Sequence, residues 1–148
     1  MENLYTSNAL RLLQTADEIK ARLSGEFSAV HGLSVNEFFL LLHLEQTAAH
    51  RLSRVELAKR MQISASTVTR MATPMEKIGL VDRQAYQKDA RLAFVVITDA
   101  GLRKLEEARA TFTKQAGYIF NNLLDEAELN QLSLMLGRLT SGTVGRLS

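Results

Sequence analysis

Five residues between positions 64 and 70 could do chemistry at short range: Ser64, Ser66, Thr67, Thr69 and Arg70. They are small hydroxyl side chains followed by one arginine, gathered over the first two turns of a predicted helix that Ser64 would cap. Hydroxyls donate to phosphate oxygens and base edges, and arginine grips guanine or a phosphate with two parallel N–H groups. Small residues also let a helix N-terminus come close to its target, where its free N–H groups and dipole favour an anion. A second basic group follows at Lys88 and Arg91, with Asp89 between them. Arg91 suits insertion into a narrow groove and Lys88 a diffuse phosphate contact. Asp89, which phosphate would repel, fits a role in fixing the shape of the tip. A plain amphipathic helix with a Ser/Thr-rich cap, and an ordinary charged hairpin tip, are the alternative readings of these two clusters.

Their setting favours the first reading. Upstream, Ser53 and Glu56 stand at capping-box spacing, with Leu52 and Leu57 at the spacing of a hydrophobic staple. A helix beginning at Arg54 would turn Val55, Leu57, Ala58 and Met61 inward and leave Arg54, Lys59 and Arg60 in water. Met61-Gln62-Ile63 forms a tight connection to the second helix, whose buried stripe is predicted as Val68, Met71, Met75 and Ile78. Pro74 lies inside that pattern and removes the bond to Arg70. Either one bent helix spans Ala65 to Ile78 or the chain breaks near Thr73; the unbroken apolar period favours the single helix, ended by Gly79. Two β-prone runs, Leu80–Ala85 and Leu92–Ile97, then form a two-stranded ribbon whose tip carries the second basic group. Helix, turn, helix and ribbon make a winged helix-turn-helix, a form suited to double-stranded DNA.

The chain resembles the MarR family of bacterial transcriptional regulators. The motifs that carry the likeness are LSRVELAKRMQISASTVTRM, the IGLVDR after it, Asp89-Ala90-Arg91, and ITDAGLRKLEEA. The best match runs from Leu33 to about Ala110. The resemblance implies that Ser64, Ser66, Thr67, Thr69 and Arg70 occupy major-groove positions. It likewise implies that Arg91 is the wing arginine, with Asp89 as its structural partner. Pro74 and the short YQKDAR wing depart from the family pattern, and the second departure could weaken wing contacts.

Charge agrees with this placement. The total is only +2, yet residues 51–91 hold nine basic and four acidic groups, while residues 1–50 hold three and six. The positive excess therefore sits on the segment assigned to DNA. There is no cysteine among the 148 residues, which excludes disulfides, thiol sensing and cysteine-based zinc sites. His31, His43 and His50 lack metal-ligand spacing, so neither a metal nor another cofactor is expected. No nucleophile motif, phosphate loop or paired carboxylates point to an enzyme. The N-terminus is no signal peptide, and FFLLLHL is too short to span a membrane, so a cytoplasmic protein is expected.

The flanks read as long helices. Leu10, Leu13, Ala16, Ile19, Leu23 and Phe27 form a stripe from Thr6 to about Ser28, and Ser34 with Glu37 caps a central helix from Val35 to about Thr47. Residues 48–51 serve as a linker. After the ribbon, Thr98 caps a helix to about Asn121, and Asp125 with Glu128 caps a last one bearing Leu129, Leu132, Leu136 and Leu139. Gly142 to Ser148 is a polar, glycine-containing tail expected to fray. The whole is a single domain over 1–148, mainly α with a small β-wing. Residues 33–100 form the DNA-binding portion, and 6–30 and 99–141 form dimerisation helices.

A long helix exceeds what a small monomer covers. Either the first helix closes an internal bundle, or two copies interleave as a homodimer, as the resemblance also implies. A two-fold dimer would read a pseudo-palindromic operator. By the same resemblance, a small aromatic or amphipathic ligand would bind between the dimer helices and the winged part. Arg11, Phe38, Phe39 and His43 are candidates there, with ordinary packing as the alternative. The rival function class is a winged domain used only for protein assembly, since fold alone does not fix function. The hydroxyl-rich face at 66–70 argues against it, because protein interfaces favour aromatic and aliphatic anchors.

Overall fold

The computed structural model describes residues 3–85 and 93–140. Six helices and three short strands follow in the order α1 (Leu4–His31), α2 (Val35–Glu45), β1 (Arg51–Ser53), α3 (Arg54–Met61), α4 (Ala65–Lys77), β2 (Val81–Gln84), β3 (Phe94–Ile97), α5 (Asp99–Phe120) and α6 (Glu126–Leu139). This is a mainly helical chain with a small sheet at the wing.

Local chemistry sets most of the helix starts. Ser34 and Asp125 form complete capping boxes with Glu37 and Glu128, and Ser64 and Thr98 each accept a backbone N–H three residues on. At Ser53 only half of the expected box forms: its hydroxyl accepts from the Glu56 N–H at 3.1 Å, without a return bond among those defining the cap. Between α3 and α4 the chain reverses through Gln62, at φ +59°. The Gln62 and Ile63 N–H groups close back on Lys59 and Ala58. Gly79, at φ +82°, does the same for α4. Its N–H meets the Glu76 carbonyl and that of Leu80 meets Met75, two bonds that satisfy carbonyls a helix end leaves open.

The wing has one strand more than the sequence predicts. Arg51–Ser53, assigned in part to a linker, pairs antiparallel with β3, and the sheet order is β1-β3-β2. Leu52 lies opposite Val95, and Val81 opposite Ile97, so one face of the sheet turns its apolar residues into the core. Strand β1 is too short to show alternation; its partner, more than forty positions away, defines it.

The core gathers α1, α2 and α5 around three rings. Phe38 stacks on Phe112 at 5.4 Å between centroids, with 18° between the planes, and meets Phe27 at 5.0 Å. Leu40, Leu41 and Leu44 complete the central helix, buried on nearly every side. Two predicted core residues are outside it: Val55 is 49 % exposed and Ile78 is 66 % exposed. Ile78 caps α4 instead of belonging to its stripe, which runs through Val68, Ala72 and Met75 with Met71 partly buried. His31 ends α1, and its Nε2 lies 2.7 Å from the Thr111 hydroxyl.

The outer helices are far less covered. On α1 only Ser7, Leu23 and Phe27 are buried, and α6 buries nothing. No single helix among the described residues is long and apolar enough to cross a membrane.

Candidate nucleic-acid interface

Helix α4 is held by its apolar side and presents its polar side. Val68 and Met75 are fully buried and Ala72 nearly so. Burying a side chain such as Val68 or Met75 stabilises by roughly 1.5–3 kcal/mol. The cap at Ser64 contributes about 1 kcal/mol. Packing, more than capping, therefore fixes how far the opposite face stands out. The helix runs unbroken across Pro74, as the apolar period predicts, with the Thr73 hydroxyl donating to the Thr69 carbonyl at 2.8 Å beside it.

The hydroxyls on the outer face form one network. Ser64 Oγ accepts from the Thr67 N–H at 3.1 Å and shares hydrogen bonds with Ser66 Oγ at 3.0 Å and Thr67 Oγ1 at 2.7 Å. Arg70 Nη2 donates to Thr67 Oγ1 at 3.2 Å. Ser64, Ser66 and Arg70 are exposed, and Thr67 is half-buried. The network sets the hydroxyls and the guanidinium side by side on a preordered surface. It offers donors at a helix N-terminus, the arrangement that suits phosphates and base edges.

Thr69 is placed differently. It turns toward α3, where Arg54 Nη1 donates to its hydroxyl at 2.6 Å, and that hydroxyl itself donates to the Ala65 carbonyl at 3.2 Å. Arg54, expected in open solvent, is half-buried against α4. Sequence reasoning assigned it no role. The available signal was its position at the first residue of the first helix, next to the turn.

Lys88, Asp89 and Arg91 lie outside the described residues. The base of the wing is described, and it is braced. Arg51 donates to the Gln84 side chain at 2.5 Å across the sheet while its guanidinium lies 4.5 Å from the centroid of Phe94. Arg83 meets Glu76 of α4 at 3.8 Å, an exposed pair of little energetic weight.

Of the candidate ligand residues, Phe38, Phe39 and His43 share α2, whereas Arg11 lies apart from them within one chain. Phe38 is 2 % exposed inside the aromatic cluster, Phe39 packs half-buried beside it, and His43 is 2 % exposed. Burial, reinforced by the Arg60 charge, lowers the pKa of His43, and its Nδ1 has no hydrogen-bond partner among the described residues. Arg11 is exposed on α1, sixteen residues before the Phe27 that touches Phe38 and so about 24 Å along the helix axis. Among the described residues no cluster of three His, Asp or Glu is placed to hold a metal.

A short helix, a tight turn, an outward helix and a three-stranded sheet define a winged helix-turn-helix. The comparisons give its family. The MarR family model matches residues 33–92. The chain is 31 % identical over 113 residues to the HTH-type transcriptional repressor YetL of Bacillus subtilis, covering 76 % of this chain and 67 % of that one. The MarR family regulator Sco3205 of Streptomyces coelicolor, solved in complex with DNA, superposes with a TM-score of 0.80 at 21 % identity, over 94 % of this chain and 88 % of that one. CouR of Rhodococcus jostii, solved with p-coumaroyl-CoA, superposes with a TM-score of 0.78 at 19 % identity, over 99 % and 100 %. The chain belongs to the MarR family of DNA-binding transcriptional regulators, which are not enzymes. It spans about two thirds of the length of the curated relatives it matches.

Proposed function

We propose that this protein is a homodimeric repressor that binds a pseudo-palindromic operator in the cytoplasm and is released by a small organic ligand. The observation that carries the DNA reading is the outer face of α4, where Ser64, Ser66, Thr67 and Arg70 stand hydrogen-bonded to one another above a buried Val68–Ala72–Met75 stripe. Thr69 belongs to the same site from the side facing α3. Lys88 and Arg91 are assigned to the phosphate backbone and the adjacent minor groove, with Asp89 shaping the tip.

The dimer reading draws on the uncovered helices. Leu10 and Leu13 on α1, and Leu134 and Leu139 on α6, are each more than 60 % exposed in the single chain. Such apolar stripes are what a second copy would cover. An open groove between α5 and α6, lined by Phe120, Leu124 and Leu129, adds further apolar surface.

Repression is supported by the likeness to the transcriptional repressor YetL, and a small organic ligand by the p-coumaroyl-CoA bound in CouR. With no cysteine to oxidise, the signal is assigned to an aromatic or amphipathic molecule where the dimer helices meet the winged part, near Phe38, Phe39 and His43 of α2; Arg11 belongs to it only if the partner subunit supplies it. A compound that binds the free dimer more tightly than the DNA-bound form lowers operator affinity by linkage. Fluorescence anisotropy with labelled operator, titrated with aromatic acids and their thioesters, tests this. Release by at least one compound is expected. An affinity that none of them changes would leave a constitutive repressor.

A further inference from the structure

We propose that Arg54 is a positioning residue of the DNA site: one of its N–H groups holds the recognition helix through Thr69, and its remaining donors take a backbone phosphate beside the half-site. The proposal depends on the DNA reading above and extends it to α3. Arg54 is the first residue of α3, next to the Ser53 cap. A helix N-terminus carries partial positive charge, so a cation there gains nothing from its own helix. Its place needs another partner. Thr69 supplies a neutral one, at 2.6 Å from Nη1.

Among the described residues no acidic partner neutralises this guanidinium. Glu76 and Asp82 line the same groove between α4 and the wing, yet among the described residues neither lies within ion-pair distance of Arg54; Glu76 pairs with Arg83 instead. A guanidinium has five N–H donors in a rigid planar fork that matches phosphate geometry. One is engaged by Thr69. The others have no hydrogen-bond partner among the described residues, and the half-buried side chain lines the groove between α4 and the wing, beside the helix that carries Arg70 and the Ser64–Ser66–Thr67 network. A phosphate bound there would sit on the α3 side of the recognition helix. Its grip would pass to α4 through a single hydrogen bond, fixing how that helix lies in the groove.

The test is anisotropy against the operator selected by the wild-type protein and against scrambled DNA, at several salt concentrations, with thermal melts of every variant. Arg54→Ala should weaken operator binding about ten- to a hundredfold and lower the salt slope by about 1.8, because each phosphate contact is worth about 0.9 and a two-fold dimer loses two. Thr69→Val, which keeps the shape and removes the hydrogen bond, should cost operator binding while leaving the salt slope unchanged. Thr69→Ser should restore it. The effects of Arg54→Ala and Thr69→Val on operator affinity should be less than additive, because both break one link. An Arg54→Ala protein that melts lower but keeps wild-type affinity and salt slope makes Arg54 a structural residue and overturns the proposal. Wild-type binding that Thr69→Val leaves unchanged overturns the relay. A wild-type protein that enriches no duplex overturns this proposal together with the DNA reading beneath it.

Discussion

The Thr98 hydroxyl donates to the Gly79 carbonyl at 2.5 Å, and this bond joins the start of α5 to the end of the recognition helix. The Thr98 N–H adds a bond to the Leu80 carbonyl at 3.1 Å, and the same hydroxyl caps α5 by accepting from the Gly101 N–H at 3.0 Å. One side chain therefore serves two helices. The proposed switch between dimer and DNA-binding elements needs such a direct link between α5 and α4.

Gly101→Ala tests how tight this junction is. A Cβ at Gly101 would stand 2.1 Å from the Leu80 carbonyl oxygen and 2.7 Å from Ile97 Cγ1. Alanine gains about 1 kcal/mol over glycine in a helix interior. Overpacking against backbone costs about 1–3 kcal/mol or more. The clash is with backbone, so it wins. Urea denaturation should show net destabilisation of about 1–2 kcal/mol; a more stable variant would contradict the close approach.

His43 predicts a pH dependence with a definite sign. In the native state its pKa is lowered from the ordinary 6.5, chiefly by burial and then by the Arg60 charge. The unfolded chain therefore binds a proton as pH falls through about 6.5 while the native chain resists it. Stability from this group is complete above that pH and is lost on acidification below it. His43→Leu should flatten the melting temperature between pH 5 and 7.5. It should also raise stability, since the orphaned Nδ1 is removed. An unchanged slope in His43→Leu would assign the effect to other groups.

What was legible in the sequence was local. Ser34, Ser64, Thr98 and Asp125 cap helices because the groups they satisfy lie within three residues. Gly79 ends α4 for the same reason, through its own positive φ. What depends on distant partners was not legible. Strand β1 exists only through β3, and Val55 has the right spacing for burial but stands 49 % exposed. Periodicity placed Thr69 on the outer face with Ser66 and Arg70. Arg54, fifteen residues earlier, draws its hydroxyl toward α3. The family likeness named the wing residues, and those are the ones outside the described residues.

Arg70 and Arg91 should fail in different ways. Arg70→Ala removes a guanidinium set beside the Thr67 hydroxyl on the outer face of α4. It should cost roughly 1–3 kcal/mol of specific binding and relax sequence preference at one position in each half-site. Arg91→Ala should weaken binding to many sequences alike and lower the salt slope. Titrations against operator and scrambled DNA at two salt concentrations separate the outcomes. Unchanged affinity in a folded dimer would remove that arginine from the site.

Leu13→Glu and Leu139→Glu probe the proposed dimer surface. These leucines are 66 % and 67 % exposed in the single chain, so neither change should unfold it. In a two-fold dimer each substitution counts twice, and burying one leucine is worth roughly 1.5–3 kcal/mol. Dimer affinity should fall about a hundredfold or more, with operator binding falling alongside. Light scattering that shows a wild-type monomer at micromolar concentration, or variants as dimeric as wild type, would contradict the interface.

Selection of bound duplexes from a random pool tests sequence-specific recognition most directly. The wild-type protein should enrich an inverted repeat whose half-sites lie about one helical turn apart, roughly 34–36 Å centre to centre. Arg70→Ala should blur that motif at one position per half. Recovery of no preferred sequence, or of a site without inverted symmetry, would contradict the account.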